Sequence, residues 1–197
     1  MVITISREYG SGGSEIGHKT AEILGVPCYD KTVTELTASL SGFPVETIAN
    51  SEDKTSIGLD YSGYLYGYGL FGSNHYLPIY DRIFIAQSDA IAKLAKKGDC
   101  VIVGRCAAEV LAKQNVPSLN VFIHAPLDER VARLLSRHAD ITEAQAKRFI
   151  RKNDKARANY HKKYVFTEWG AMRNYHMTIS SSIGIDKAAK LIADAVK

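Results

Sequence analysis

Two hydrophobic rhythms alternate along the chain. Short apolar runs rich in β-branched residues occur at Val2–Ile5, Val26–Asp30, Cys100–Val103, Leu119–Ala125 and His176–Ser181. Between them lie longer stretches whose apolar residues fall three and four apart. Ile16, Thr20, Ile23 and Leu24 form one such series, closed by Gly25. Ile79, Ile83, Ala86, Ala90, Ile91 and Leu94 form another, closed by Gly98. Short continuous runs suit strands buried on both faces, and the three-and-four spacing suits amphipathic helices. Further helices are predicted over 31–40, 45–50, 107–114, 127–138, 142–160 and 186–196. Thr142-Glu143-Ala144-Gln145 reads as a capping box for the longest of them, and Asp186 as an N-cap for the last. Strands separated throughout by helices predict one α/β domain over 1–197, a parallel sheet with helices on both faces.

One segment has neither rhythm. From Ser51 to Pro78 the chain is rich in Gly and Tyr, most densely over 58–76. A long irregular stretch inside a compact domain is read as a mobile surface loop or as a substrate-covering insert whose aromatics stack on a base or a partner chain.

The chemistry concentrates just after the first run. Val2-Ile3-Thr4-Ile5-Ser6-Arg7-Glu8-Tyr9-Gly10-Ser11-Gly12-Gly13-Ser14 passes from strand to glycine cluster to helix. Glycines let backbone N–H groups approach an anion, and the helix N-terminus adds its positive end. Two patterns compete. Against G-x-x-x-x-G-K-[ST], Gly12 and Ser14 fit, but Arg7 occupies the first glycine and Gly13 the lysine. Against G-x-G-x-x-G, Gly10 and Gly12 fit, but Glu15 occupies the third glycine. Asp30, about twenty residues beyond the turn, suits the ribose acid of the second pattern and keeps it in play.

Two other places carry charge suited to phosphate. Gly104-Arg105 follows the third run, where ligands bind in open α/β sheets, and arginine offers a bidentate fork. The helix beginning near Thr142 carries Arg151, Asp154 and Arg157 at i, i+3 and i+6, on one side. It reads either as a solvated basic face or as a lid that brings guanidinium groups over a transferring phosphoryl group.

Composition narrows the classes. The chain has 197 residues, 46% hydrophobic and 23% charged, with a net charge of +4. That suits an anionic small molecule without calling for nucleic acid. Cys28, Cys100 and Cys106 are scattered, with no C-x-x-C, and the six histidines have no metal-ligand spacing. Cys106 reads as a packing residue rather than a nucleophile. No apolar stretch has the length of a membrane span, and no signal peptide precedes the first strand, so a cytoplasmic protein is expected. A homodimer is compatible with the sequence.

Taken together, Ile3–Gly13, Val101–Ala107, Asn153-Asp154-x-x-Arg157-x-x-Tyr160-His161 and Ile179-Ser180-Ser181-x-x-Gly184-Ile185-Asp186 resemble the cytidylate kinase-like family. That family is similar to the bacterial cytidylate kinases among the P-loop nucleoside monophosphate kinases. The resemblance implies a three-layer fold with a five-stranded parallel sheet, an acceptor-binding insert (about 31–97) and a helical lid (about 139–175). It implies phosphoryl transfer from ATP with Mg²⁺ to a nucleoside monophosphate, CMP-like, or a similar acceptor. By position, Gly10, Ser11, Gly12, Gly13 and Ser14 would hold the donor phosphates, with Ser14 toward Mg²⁺. Asp30, Arg82 and Arg105 would serve the acceptor, and Asp154 and Arg157 the lid. Three positions depart from the cytidylate kinases: Gly13 replaces the lysine, Cys106 an aspartate and Lys31 a serine. Arg7, Arg151 and Arg157 are the candidates to supply the missing charge. The competing expectations are a nucleotide-binding regulatory protein that has lost activity and, more remotely, a dinucleotide-dependent oxidoreductase.

Overall fold

A computed structural model of the chain describes residues 1–49, 51, 77–165 and 167–196. The Gly/Tyr-rich stretch 58–76 lies outside them. Five strands alternate with helices in the order β1 (Val2–Arg7), α1 (Gly13–Leu24), β2 (Cys28–Tyr29), α2 (Lys31–Ser41), α3 (Val45–Ala49), α4 (Ile79–Ala95), β3 (Cys100–Val103), α5 (Ala107–Lys113), β4 (Ser118–His124), α6 (Leu127–Arg137), α7 (Glu143–Val165), β5 (Met177–Ser180) and α8 (Ile185–Asp194). All strand pairings are parallel, and the sheet order is β2-β3-β1-β4-β5. Every predicted strand and helix within the described residues is present.

The pleat of β1 and β3 divides the core into two layers. Val2, Cys100 and Ile102 face one side, where they meet Phe84 and Ile91 of α4, Leu111 of α5, and Tyr160 and Tyr164 of α7. Ile3, Ile5, Val101 and Val103 face the other, against Ile16 of α1 and Ile192 of α8. Helix α1 lies so close to the sheet that a Cβ on Gly17 would come within 2.8 Å of Val103 Cγ2. Its buried face is Ile16, Gly17, Thr20 and Ala21. Ile23, expected on that face, points outward, because the close approach at Gly17 turns the apolar stripe toward the smaller residues. Helices α6 and α7 pack on each other beyond the sheet edge through Val131, Leu134, Ala146 and Ile150.

The capping box forms as expected: Gln145 Oε1 accepts from the Thr142 N–H at 2.7 Å, and Thr142 Oγ1 accepts from the Gln145 N–H at 3.3 Å. Asp186 is not the cap of the last helix. Gly184 takes that place, and Asp186, two residues further on, ion-pairs with Lys19 of α1. A carboxylate in the first turn still complements the helix dipole. Among the described residues, no helix is long and apolar enough to cross a membrane.

Candidate active site

β1 leads straight into the glycine turn at the carboxyl end of the sheet. Gly10 and Gly12 hold φ of +77° and +82°, left-handed values that glycine adopts without penalty. The first intrahelical bond runs from the Ile16 N–H to the Gly12 carbonyl at 2.9 Å. The N–H groups of Gly13, Ser14 and Glu15 therefore lie in the first turn of α1, where no intrahelical acceptor exists. The Ser11 hydroxyl is buried and donates to the Glu8 carbonyl at 2.9 Å, so Ser11 shapes the turn from within. Ser14 Oγ donates to the Asp30 carboxylate at the end of β2. Two residues assigned by sequence to different substrates, Ser14 to the metal and Asp30 to the acceptor, thus meet in one place.

Arg7 and Gly13 share one volume across the turn. A Cβ on Gly13 would lie 2.9 Å from Arg7 Cγ and nearer still to Arg7 Cβ. The Arg7 side chain then runs to Gly104 at the end of β3, where an added Cβ would come within 2.9 Å of the guanidinium carbon. Arg7 explains Gly13, because its Cβ and Cγ fill the space a side chain there would need; Gly104 lies against the Arg7 guanidinium and holds a φ of +76°, a left-handed value that glycine adopts without penalty.

Helix α6 roofs the turn with arginines that sequence reasoning did not single out. Arg133 Nη1 donates to the Gly10 carbonyl at 2.9 Å, and Arg137 pairs with Glu15 at 3.3 Å. Arg130, buried, donates to Asp154 Oδ2 at 2.6 Å and lies 3.6 Å from Glu8. Their spacing of i, i+3 and i+7 puts them on one face of a helix, and that spacing was the available signal. Asp154 also accepts from the Tyr9 N–H at 2.7 Å, so α7 is tied to the turn through its aspartate. Arg157 follows one turn later. It donates to the Arg7 carbonyl at 2.9 Å and lies over the Tyr9 ring at 5.2 Å. Arg151, expected beside them, is exposed and does not line the cavity over the turn; helix rotation brings only Asp154 and Arg157 inward. That cavity has a volume of about 190 Å³, with Arg7, Arg133, Arg137 and Arg157 on its walls.

A second, smaller cavity of about 30 Å³ adjoins the first and shares Arg7 and Arg157 with it. Arg105, Tyr160, His161 and Trp169 complete its main walls, and among the described residues no carboxylate lines it. Arg105 and Cys106 both have positive φ, +61° and +51°. Such backbone costs on the order of 1–2 kcal/mol per non-glycine residue and has to be held in place. Gln87, fully buried on α4, holds it by donating to the Arg105 carbonyl at 3.3 Å, while Arg105 Nη2 donates to Thr34 at 3.2 Å. Cys106 is a buried packing residue at the start of α5. Arg82 lies elsewhere, with its guanidinium 5.0 Å from the Phe43 ring and outside both cavities. His161 and Trp169 were not assigned to a site from sequence; Trp169 in particular lies in an irregular stretch with no periodic signal.

A glycine turn joining the first strand to the first helix, at the head of a five-stranded parallel sheet, defines a P-loop kinase fold. Solved structures carry the same fold. Shikimate kinase from Bacteroides thetaiotaomicron is 12% identical with a TM-score of 0.57, over 100% of this chain and 98% of that one. APS kinase from Mycobacterium tuberculosis, solved with AMPPNP and APS, is 14% identical with a TM-score of 0.51, over 99% and 96%. An uncharacterized protein from Eubacterium ventriosum is more similar, 28% identical with a TM-score of 0.72 over 100% and 98%. Within this fold the chain belongs to the cytidylate kinase-like family, whose model matches residues 2–183. No curated protein matches the sequence.

Proposed function

We propose that the protein is an ATP-dependent small-molecule kinase that transfers the γ-phosphoryl group to a nucleoside monophosphate, CMP-like, or a similar anionic acceptor. The observation that carries this reading is Arg7, whose side chain passes between Gly13 and Gly104 and lines both cavities. Phosphoryl transfer is mostly positioning and charge stabilisation, so a fixed cation at the junction of a donor and an acceptor cavity is the required element.

Each group has a part. The free N–H groups of the first turn of α1 bind donor phosphate oxygens, helped by the helix dipole. Arg7 takes over the charge that a P-loop lysine would carry. Arg157 adds a second guanidinium from α7, and Arg105 meets the acceptor's anionic group. Arg130 and Asp154 touch neither substrate; they hold α7 against the turn so that Arg157 is positioned.

Ser14 Oγ and the Asp30 carboxylate offer the hard oxygen donors that Mg²⁺ prefers. Among the described residues no three His, Cys, Asp or Glu side chains form a metal cluster, so phosphate oxygens would complete the coordination. Bound there, the ion supplies neutralisation of phosphate charge.

The test is ATP consumption with Mg²⁺ against a panel of nucleoside monophosphates and other small anionic acceptors. Turnover on one acceptor supports the kinase. Measurable ATP binding with no turnover on any acceptor supports a nucleotide-binding regulator, the reading favoured by the glycine at the lysine position. Binding of NAD(P) without ATP would sink both.

A further inference from the structure

A buried histidine joins three pieces of the small cavity's wall. His161, 2% exposed, lies near the end of α7, directly after Tyr160. Its Nδ1 meets the Thr167 carbonyl at 3.0 Å, and its Nε2 meets Glu109 Oε1 of α5 at 3.0 Å. Thr167 stands two residues before Trp169, which lines the same cavity as Arg7, Arg105 and Arg157. One ring thus connects α7, α5 and the irregular stretch that carries the tryptophan. Trp169 also packs edge-on against Phe122 of β4, with ring centroids 5.4 Å apart.

The chemistry of the two partners fixes how many protons the arrangement needs. A carbonyl oxygen only accepts, so Nδ1 carries a hydrogen. Glu109 and Nε2 need one more hydrogen between them, whichever atom holds it. Both bonds are therefore made only while the His161–Glu109 pair holds two protons. With one removed, a single ring hydrogen is left for two acceptors. A bond to a carboxylate is roughly twice as strong as one to a neutral carbonyl. The remaining hydrogen goes to Glu109, and Nδ1 then turns a lone pair toward the Thr167 carbonyl. The ionisable groups that share the cavity with His161 are Arg7 of β1, Arg105 and Cys106 before α5, and Arg157 and Tyr160 of α7. Tyr175, ahead of β5, lies close enough to Glu109 to feel its charge. The guanidiniums and the Glu109 carboxylate pull on the shared proton in opposite directions.

We propose that His161 is a positioning residue for the acceptor cavity: doubly protonated with Glu109 it latches the Trp169 wall in place, and loss of one proton releases that wall. The link to the acceptor rests on the kinase reading; the latch itself does not. With the wall held, water is kept from the acceptor's anionic group beside Arg105. With the wall released, the acceptor binds less tightly while the groups at the glycine turn are untouched.

Trp169 is the chain's single tryptophan, so its fluorescence reports the latch without any substrate. The full chain is titrated from about pH 5.5 to 9.5, a span that brackets the ordinary histidine range. Acrylamide quenching is read at each pH, with circular dichroism to check that the fold is intact. Quenching should be low at the acid end and rise to a plateau as the shared proton leaves. The latch equilibrium should shift roughly two- to ten-fold, the worth of one hydrogen bond. Glu109→Gln is the discriminating variant. Its amide donates to Nε2 of a neutral ring while the Nδ1 hydrogen still serves Thr167, so Trp169 should stay protected across the range. Groups that titrate elsewhere, Cys106 and Tyr175 included, contribute equally to both curves, and the difference isolates the pair. His161→Gln, whose amide stands in for Nε2 alone, should leave Trp169 exposed at every pH. His161→Asn, whose amide stands in for Nδ1, should restore protection. The proposal is overturned if the parent's quenching does not change with pH, if Glu109→Gln keeps the parent's transition, or if His161→Asn and His161→Gln behave alike. With an acceptor that turns over, the same rise in pH should raise its KM more than it lowers kcat; a fall in kcat at constant KM would break the link to the acceptor. If no acceptor turns over, the kinase reading suffers, but the fluorescence results stand on their own.

Discussion

Arg7 determines what its neighbours can be. Because its Cβ and Cγ fill the space beside Gly13, restoring a lysine by Gly13→Lys should damage the site rather than improve it: lower melting temperature and no gain in ATP turnover. A gain in turnover from that single change would contradict the shared-volume account. Arg7→Ala should lower kcat by roughly 10²–10³, the range seen when one preorganised charge-stabilising group is removed. Arg105→Ala should raise the KM for the acceptor while ATP binding stays nearly intact; equal loss of both would contradict its assignment to the small cavity. At this scale the sequence was partly readable. Gly13 stands out as a missing lysine and Arg7 as a cation nearby. That the two occupy one volume depends on the path of the turn, which spacing along the chain does not reveal. For Arg82 the sequence offered only distance along the chain, which says nothing of helix face; in the fold its guanidinium lies over the Phe43 ring.

Helices α6 and α7 act as a pair. Asp154 receives both the Arg130 guanidinium and the Tyr9 N–H. Asp154→Ala leaves Arg130 buried with its strongest partner gone, a situation that costs about 3–5 kcal/mol. Denaturant unfolding should show a loss of about that size, with activity falling as Arg157 loses its support. Asp154→Asn, which keeps the hydrogen-bond acceptor, should lose less. The capping box made the start of α7 legible to the residue, because its two bonds are local. The inward turn of Asp154 and Arg157, leaving Arg151 exposed, was not, because α6 decides which face is covered. The three arginines of α6 were visible as a stripe, yet nothing local distinguishes a stripe over a phosphate cradle from one facing solvent.

For the molecule as a whole, the alternation of strand and helix was enough to give a parallel sheet, since each element carries its own period. Strand order was not readable from periodicity, because it depends on which crossovers pack. Burial in the sheet and its helices leaves a chemical signature on titration. It pushes the Cys28 thiol up to about 12 and raises Cys100 as well. Tyr175 is pushed up to about 12 by burial, and Tyr164 is raised by burial and by Asp81. A group whose folded pKa exceeds its unfolded value contributes stability below the unfolded value and loses it as pH rises. Unfolded thiols titrate near 8.5 and phenols near 10. Stability should therefore hold through neutral pH and decline from about pH 8.5 upward. Denaturant midpoints at pH 7, 9 and 10.5 would measure this, and a midpoint that rises over that range would contradict it. In the folded protein, Cys28 and Cys100 should resist alkylation at pH 8, where the unfolded chain reacts readily.

The passage of Arg7 between two glycines also makes a forecast about other sequences. Relative to the ordinary phosphate-loop pattern, arginine and glycine have exchanged roles here: the cation stands at the first position of the loop, and the residue without a side chain stands at the seventh. Since both draw on one volume, an intermediate with two long side chains would not fit, and one with two glycines would lack the charge. Chains of this family should therefore divide into two sets, arginine with glycine or glycine with lysine. The first set should also carry glycine at the position of Gly104. A chain that keeps arginine and lysine together would have to route one of them outside the turn, and its structure would show where.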